Sequence, residues 1–146
     1  MTAGCLLDTN VLLYLVNPAA PEHRAARAAV ADLLAQGERL AIAAQVLFEF
    51  WSVATRPAGV NGLGWPVARA RAEIDTLRAR FIVLEEPPAV VDLWLEIVSA
   101  YELKGKRIHD AHLIATMKAN GFTRLLTFDT SGFPAASGIT ILSPEF

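Results

Sequence analysis

The chain has a single cysteine, Cys5, among its 146 residues, and an internal disulfide is therefore excluded. Because structural disulfides are typical of secreted proteins, this favours a cytoplasmic protein. The apolar run at the N-terminus has no basic residue before it and is interrupted by Asp8, so we expect no secretory signal. No stretch reaches about 18 uninterrupted apolar residues, and we expect no membrane span.

Charged residues are also scarce, at 19% of the chain, whereas hydrophobic residues reach 53%. This balance excludes a disordered chain, which needs low hydrophobicity. The length suits one domain with its own core, and we expect a single domain over residues 1–146. The net charge of −2 neither indicates nor excludes a nucleic-acid partner, so the local placement of charge has to decide.

Short apolar segments alternate with segments of helical periodicity. Strands are predicted at 5–7, 40–43, 81–84, 125–128 and 139–142, and helices at 11–16, 21–36, 45–56, 66–80, 87–103 and 108–120. The first helix is expected to have Thr9 or Asn10 near its cap. The glycine- and proline-rich stretch 57–66 is predicted to be a loop. The alternation indicates an α/β fold, in which a parallel sheet is covered by helices on both faces.

Four acidic residues occupy positions from which such a fold can gather them. Asp8 and Asp129 directly follow predicted strands, and the carboxyl ends of parallel strands meet at one edge of the sheet, where ligands bind. Asp110 lies in the first turn of a predicted helix, and Glu49 interrupts an apolar helical face. Taken singly, each also has an ordinary interpretation as a cap, a dipole contact, a turn residue or a solvated side chain.

Carboxylates that share a pocket need a counter-charge. Two of them about 4 Å apart repel by about 4 kcal/mol at an effective dielectric of about 20. The hard cations Mg²⁺ and Mn²⁺ supply that charge and prefer oxygen ligands. A zinc site is disfavoured, because His109 and His112 are three residues apart and lack further ligands at zinc spacing. Such a carboxylate site suits phosphodiester hydrolysis by metal-activated water.

The segments that contain these acids resemble the four motifs of PIN domains. They are LLDTNVL (6–12), QVLFEF (45–50), HDAHLIA (109–115) and LLTFDTSGF (125–133), and they span nearly the whole chain. Within that family, the chain most resembles the VapC-type toxins of prokaryotic toxin–antitoxin pairs. Many relatives have an acid where this chain has Gly132, so the fourth acid is assigned to Asp129.

The resemblance implies a three-layer α/β/α sandwich with a central parallel sheet and Mg²⁺- or Mn²⁺-dependent endoribonuclease activity. The products would carry 5′-phosphate and 3′-hydroxyl ends. Thr9 or Asn10 would be a supporting polar neighbour of the site. The resemblance further implies a homodimer and a cognate antitoxin that holds the enzyme inactive. By motif match, the catalytic and metal-binding residues would be Asp8, Glu49, Asp110 and Asp129.

Cations near the acids are candidate RNA contacts, because a negatively charged pocket needs positive neighbours to hold phosphates. The predicted contacts are Lys104, Lys106, Arg107 and Arg56. The alternative is that these are ordinary solvated charges. Trp65, beside the glycine-rich loop, is a candidate for stacking on a base, whereas Trp51 and Trp94 lie in apolar helical patterns that fit core or dimer packing.

The sequence has two alternative functional interpretations. A phosphatase that uses Asp8 as a covalent nucleophile would need a second Asp two positions later, where the chain has Asn10. A non-catalytic RNA- or partner-binding domain of the same fold is the other alternative. Crowded carboxylates that serve no purpose would only destabilise such a domain, which disfavours it.

Overall fold

The computed structural model describes residues 4–131, 133 and 138–144. Its strands are β1 (Gly4–Leu7), β2 (Arg39–Ile42), β3 (Ile82–Val83), β4 (Arg124–Leu126) and β5 (Thr140–Leu142). Its helices are α1 (Thr9–Leu15), α2 (His23–Ala35), α3 (Ala44–Thr55), α4 (Val67–Arg80), α5 (Ala89–Ala100) and α6 (Arg107–Ala119), with a short 3₁₀ turn at Ala58–Val60.

The five strands form one parallel sheet in the order β3-β2-β1-β4-β5. The connections from β1 to β2 and from β2 to β3 run in one direction across the sheet, and the connection from β3 to β4 runs back. Right-handed crossovers therefore put α1 to α4 on one face and α5 and α6 on the other. The helix contacts agree, since α1 packs against α2 and α3, α3 against α4, and α5 against α6. The predicted α/β/α sandwich is confirmed.

The hydrophobic core is built around β1, the central strand of the sheet. Cys5, Leu6 and Leu7 of β1 are fully buried, as expected of an uninterrupted apolar run with helices on both sides. At the edge of the sheet, Ile82 and Val83 of β3 are both exposed. Among the described residues, no helix is long and apolar enough to cross a membrane.

A buried ion pair lies at the amino end of the sheet. Arg124, the first residue of β4, contacts the carboxylate of Glu38, which directly precedes β2. The Glu38 side chain is only 4% exposed. The pair therefore bridges the starts of the two strands that flank β1.

Two predicted elements end two or more residues earlier than expected. The helix predicted at 87–103 ends at Ala100, because Glu102 adopts a left-handed φ of 50° and the N–H of Leu103 donates to the carbonyl of Val98. The strand predicted at 125–128 ends at Leu126. The cause of that second difference lies in the candidate site.

Candidate active site

Asp8 joins β1 to α1 at the carboxyl edge of the sheet. Its backbone N–H donates to the carbonyl of Leu126 in β4, at 3.0 Å. One oxygen of its carboxylate accepts from the N–H of Thr9 at 2.8 Å, and the other accepts from the hydroxyl of Thr127 at 2.8 Å. Both oxygens are therefore oriented, and Asp8 is the cap of α1, with Thr9 and Asn10 next to it as expected.

Thr9 and Asn10 bind the segments that carry two of the other acids. The Thr9 hydroxyl donates to Oε2 of Glu49 at 2.8 Å. The Asn10 amide donates to the hydroxyl of Thr127 at 3.1 Å, and its oxygen accepts from the N–H of Phe128 at 3.1 Å. Thr9 thus contacts α3, and Asn10 contacts the segment that follows β4.

Glu49 lies midway along α3, and its side chain is exposed but not unconstrained. Besides its bond from Thr9, it accepts a hydrogen bond from the Gln45 amide to Oε1 at 3.1 Å. The same Gln45 nitrogen donates to the carbonyl of His109, also at 3.1 Å. Since His109 directly precedes Asp110, Gln45 connects α3 to the beginning of α6 at the level of the acids.

Asp129 is three residues beyond the end of β4 rather than directly after it, so this part of the prediction is wrong. The Thr127 hydroxyl accepts from the N–H of Asp129 at 3.1 Å, and Asn10 takes the N–H of Phe128. These bonds turn the chain away from the sheet before it reaches Asp129. The exposed Asp129 carboxylate accepts from the N–H and hydroxyl of Ser131 at 3.3 and 2.9 Å. Gly132 lies outside the described residues.

The four carboxylates interact electrostatically. Burial raises the pKa of Asp8, and the charges of Glu49 and Asp129 raise it further, against the hydrogen bonds from Thr127 and Thr9. Asp110, in the first turn of α6, has its pKa raised to about 6 by burial and then by the charges of the other three acids. Arg107 opposes that increase in pKa. The predicted acids therefore surround a common space, although they come from four separate segments.

The site fits a hydrated divalent cation better than a bare one. Among the described residues, no three side chains of the metal-binding types are already close enough to share one ion. The four acids offer only oxygen ligands, the choice of hard cations, and Mg²⁺ commonly keeps several water ligands that extend its reach.

The amide oxygen of Gln45 is a second feature that would suit a hydrated cation. It is buried and has no hydrogen-bond partner among the described residues. The orientation of the amide is fixed, because the partners of its nitrogen, the Glu49 carboxylate and the His109 carbonyl, both accept. A water ligand of a bound cation would donate to this oxygen.

The predicted RNA-contacting cations are all exposed. Lys104 and Lys106 lie on the turn before α6, and the charge of Arg107 acts on Asp110. Arg56 follows the last residue of α3, and its guanidinium lies 3.5 Å from the Ser52 hydroxyl. The turn before α6 is therefore next to the acids, and RNA contact there stays a prediction.

Trp65 is less suited to stacking than its loop position indicates. Its half-buried ring packs edge-on against Phe50, with centroids 6.2 Å apart. The guanidinium of Arg69 lies 4.0 Å from the ring centroid and covers one face. Trp51 and Trp94 pack against the core, as their helical patterns predict.

Thr127 and Gln45 are the two site residues that sequence reasoning missed. For Gln45 a signal existed, because it precedes Glu49 by four residues and such residues share a helix face. For Thr127 no signal existed beyond its place between a strand and an acid. Its buried hydroxyl contacts Asp8, Asn10 and Asp129 at once.

Comparisons with known proteins identify the family and the fold. The model of the PIN domain family matches residues 5–138. Ribonuclease VapC24 of Mycobacterium tuberculosis is 28% identical over 128 residues, which are 87% of each chain. VapBC2 of Rickettsia felis, solved with a DNA fragment from its promoter, superposes with a TM-score of 0.71 at 16% identity over 96% of this chain and 98% of that one. VapC20 of M. tuberculosis, a toxin that cleaves the Sarcin–Ricin loop, superposes with a TM-score of 0.60 at 20% identity over 88% and 92%.

Proposed function

Because the chain belongs to the PIN-domain family, we propose that it is a VapC-type toxin, an endoribonuclease that depends on Mg²⁺ or Mn²⁺. The observation that carries this proposal is the convergence of four carboxylates from separate segments. Burial, and then the charges of the other three acids, raise the pKa of Asp110 to about 6. The likeness to a protein named a ribonuclease, over 87% of each chain, supports RNA as the substrate. We expect the activity to reside in one cytoplasmic domain over residues 1–146.

The metal would be held by Asp8, Glu49, Asp110 and Asp129, directly or through water. When bound, a divalent cation supplies Lewis acidity toward water and the scissile phosphate. The chain itself orients the ligands. Thr127 and Thr9 fix the two oxygens of Asp8, and Gln45 and Thr9 fix those of Glu49. Such supporting bonds hold ligands in position and tune metal affinity.

The turn before α6 would position the RNA. Lys104, Lys106 and Arg107 are exposed and precede Asp110 by three to six residues. Phosphate contacts made by such cations fix the register of a nucleic acid without reading its sequence. RNA binding through this turn should therefore weaken as the salt concentration rises.

Two protein partners belong to the same proposal. Similar solved structures, such as that of VapBC2, are complexes of a toxin with its antitoxin, which supports a cognate antitoxin for this chain. A homodimer is the second expected assembly. A dimer interface would cover exposed apolar side chains such as Phe48 on α3 and Val67 on α4, which are 72% and 62% exposed.

RNA cleavage by the purified protein tests the proposal. With Mg²⁺ or Mn²⁺ we expect cleavage that EDTA abolishes, and Asp8→Asn should be inactive while its circular dichroism stays that of the wild type. Asp92→Asn, an exposed acid on α5, is the control and should retain full activity. Full activity of Asp8→Asn, or cleavage in EDTA, would contradict the metal site. RNA binding without cleavage would favour the non-catalytic alternative.

A further inference from the structure

A cavity of about 310 Å³ opens beside the acid cluster, on the face of the sheet covered by α5 and α6. Its wall is mostly apolar, and nothing in the proposed cleavage reaction uses it. The volume lies near the lower end of the range for ligand pockets. The residues that matter in its lining are Glu86, Val91, Trp94, Ile108, His109 and His112.

The cavity shares the first turn of α6 with the candidate active site. His109 lines it, and Asp110 is the next residue of α6. The carbonyl of His109 accepts from Gln45, which also binds Glu49. The basic turn with Lys104 and Lys106 leads into the same helix. A nucleotide whose phosphate lies near the acids and the basic turn therefore has this cavity within reach of its base.

Trp94 supplies a fixed aromatic wall. Its indole N–H donates to the carbonyl of Ile108 at 2.9 Å, which holds the ring of α5 against the first turn of α6. Trp94 is half-buried, so part of the ring faces the cavity. Unpaired bases of RNA are commonly recognised by stacking on such rings.

A polar pair, His112 and Glu86, lines the same cavity as Trp94. His112 Nε2 and Glu86 Oε1 are 2.6 Å apart, and both side chains are partly exposed, at 31% and 39%. The exposed part of the Glu86 carboxylate can accept hydrogen bonds from the amino group of a base, as carboxylates do with cytosine. An aromatic wall and an acceptor together match the face and the edge of a nucleobase.

We propose that this cavity binds one unpaired nucleobase of the RNA substrate, adjacent to the scissile phosphate, and prefers a base with an exocyclic amino group. The inference rests on the proposed function, because the base belongs to the RNA that is cut. A base inside a duplex cannot enter such a cavity, so the substrate is single-stranded or looped at this position. The neighbouring cations favour a nucleotide over an apolar segment of a partner protein, which would leave them unused.

Val91→Phe is the variant that tests the cavity. Val91 lines the rim of the cavity and is 59% exposed, so a larger side chain there fills the space without removing a buried group. Leu95→Phe is the matched control, because Leu95 is one turn further along α5, is 48% exposed and does not line the cavity. Melting temperatures equal to that of the wild type would show that neither variant perturbs the fold.

The first measurement needs no catalysis. The protein is titrated without metal with AMP, CMP, GMP, UMP and ribose 5-phosphate while tryptophan fluorescence is followed. We expect a saturable change with the amino-bearing nucleotides, none with ribose 5-phosphate, at least tenfold weaker binding in Val91→Phe and unchanged binding in Leu95→Phe. Absence of a nucleotide effect in the wild type, or equal binding in Val91→Phe, would overturn the inference.

The second measurement maps the 5′ ends of products cut from RNA with randomised loops in Mn²⁺. We expect the wild type and Leu95→Phe to favour an amino-bearing base at one position beside the cut. Val91→Phe should lose that preference and cleave at least tenfold more slowly. An unchanged preference in Val91→Phe would overturn the cavity assignment alone. A wild-type protein that cuts no RNA would refute the proposed function, and the nucleotide titration would still decide the inference.

Discussion

Asp110→Asn should stabilise the protein while it abolishes cleavage. Burial and the charges of the other acids raise the pKa of Asp110 from 3.8 to about 6. An acid whose pKa is higher in the folded state binds more protons there than in the unfolded chain, so its ionisation destabilises the fold. The penalty is absent below pH 3.8, grows between pH 3.8 and about 6, and is complete above that. The neutral amide never incurs it.

The magnitude follows from the two pKa values. Their difference corresponds to about 3 kcal/mol at neutral pH. Asp110 is partly exposed, and solvent screens much of that interaction, so we expect a gain of about 1 kcal/mol. For a domain of this length, that raises the melting temperature by about 2–4 °C. The gain should shrink as the pH falls toward 4.

The assay is thermal unfolding in EDTA at pH 7.5 and at pH 4.5, with RNA cleavage measured in parallel. Asp92→Asn is a sharp control, because Asp92 also lies in the first turn of its helix. The helix dipole alone predicts that both variants lose about 0.3–1 kcal/mol. Burial of Asp110 and repulsion within the acid cluster predict that only Asp110→Asn gains stability. A loss of stability in Asp110→Asn at pH 7.5 would refute the raised pKa of Asp110.

Three other outcomes are expected. Mn²⁺ at about 100 times its dissociation constant should stabilise the wild type by about 2.7 kcal/mol in a thermal melt. It should not stabilise Asp8→Asn. Absence of a shift in the wild-type melting temperature at millimolar Mn²⁺ would argue against a metal site. Thr127→Val should reduce cleavage at least tenfold and move the acidic limb of the pH–rate profile to higher pH. The hydrogen bond from Thr127 lowers the pKa of Asp8, so its loss raises that pKa. Thr127→Ser keeps the hydroxyl and should behave as the wild type. Arg124→Met should cost about 3–5 kcal/mol in urea unfolding, since it leaves the Glu38 carboxylate buried and unpaired, and added Glu38→Gln should recover much of the loss.

The fold was predictable because apolar runs and turn residues specify it locally. The buried run of β1 ends at an acid, and both features are visible in the sequence. Helix ends were less predictable, because they depend on single backbone conformations. α5 ends where Glu102 adopts a left-handed φ, and a glutamate in the sequence does not predict that conformation.

The identities of the acids were predictable, but the bonds that orient them were not. Thr127 gains its importance from partners 117 and 119 positions away in the chain, the residues Asn10 and Asp8. No local pattern encodes such contacts. Two further bonds end the strand before Asp129. The backbone N–H of Asp129 donates to the Thr127 hydroxyl, and that of Phe128 donates to the Asn10 amide oxygen, so neither pairs with a neighbouring strand. Tertiary hydrogen bonds thus override strand propensity at this position.

The topology explains why the acids crowd at this edge in particular. β1 is central, and the chain leaves it toward β2 on one side but reaches β4 on the other only after crossing the sheet. The carboxyl ends of β1 and β4 therefore border the crevice where the direction of the connections changes. Glu49 on α3 comes to that crevice from one face and Asp110 on α6 from the other, and Gln45 joins the two helices there. Because the two helices reach the crevice from opposite layers, moving the backbone segments that carry Glu49 and Asp110 apart would require separating these layers from the sheet. The fold consequently keeps the negative charges near one another, and a bound cation would relieve their repulsion.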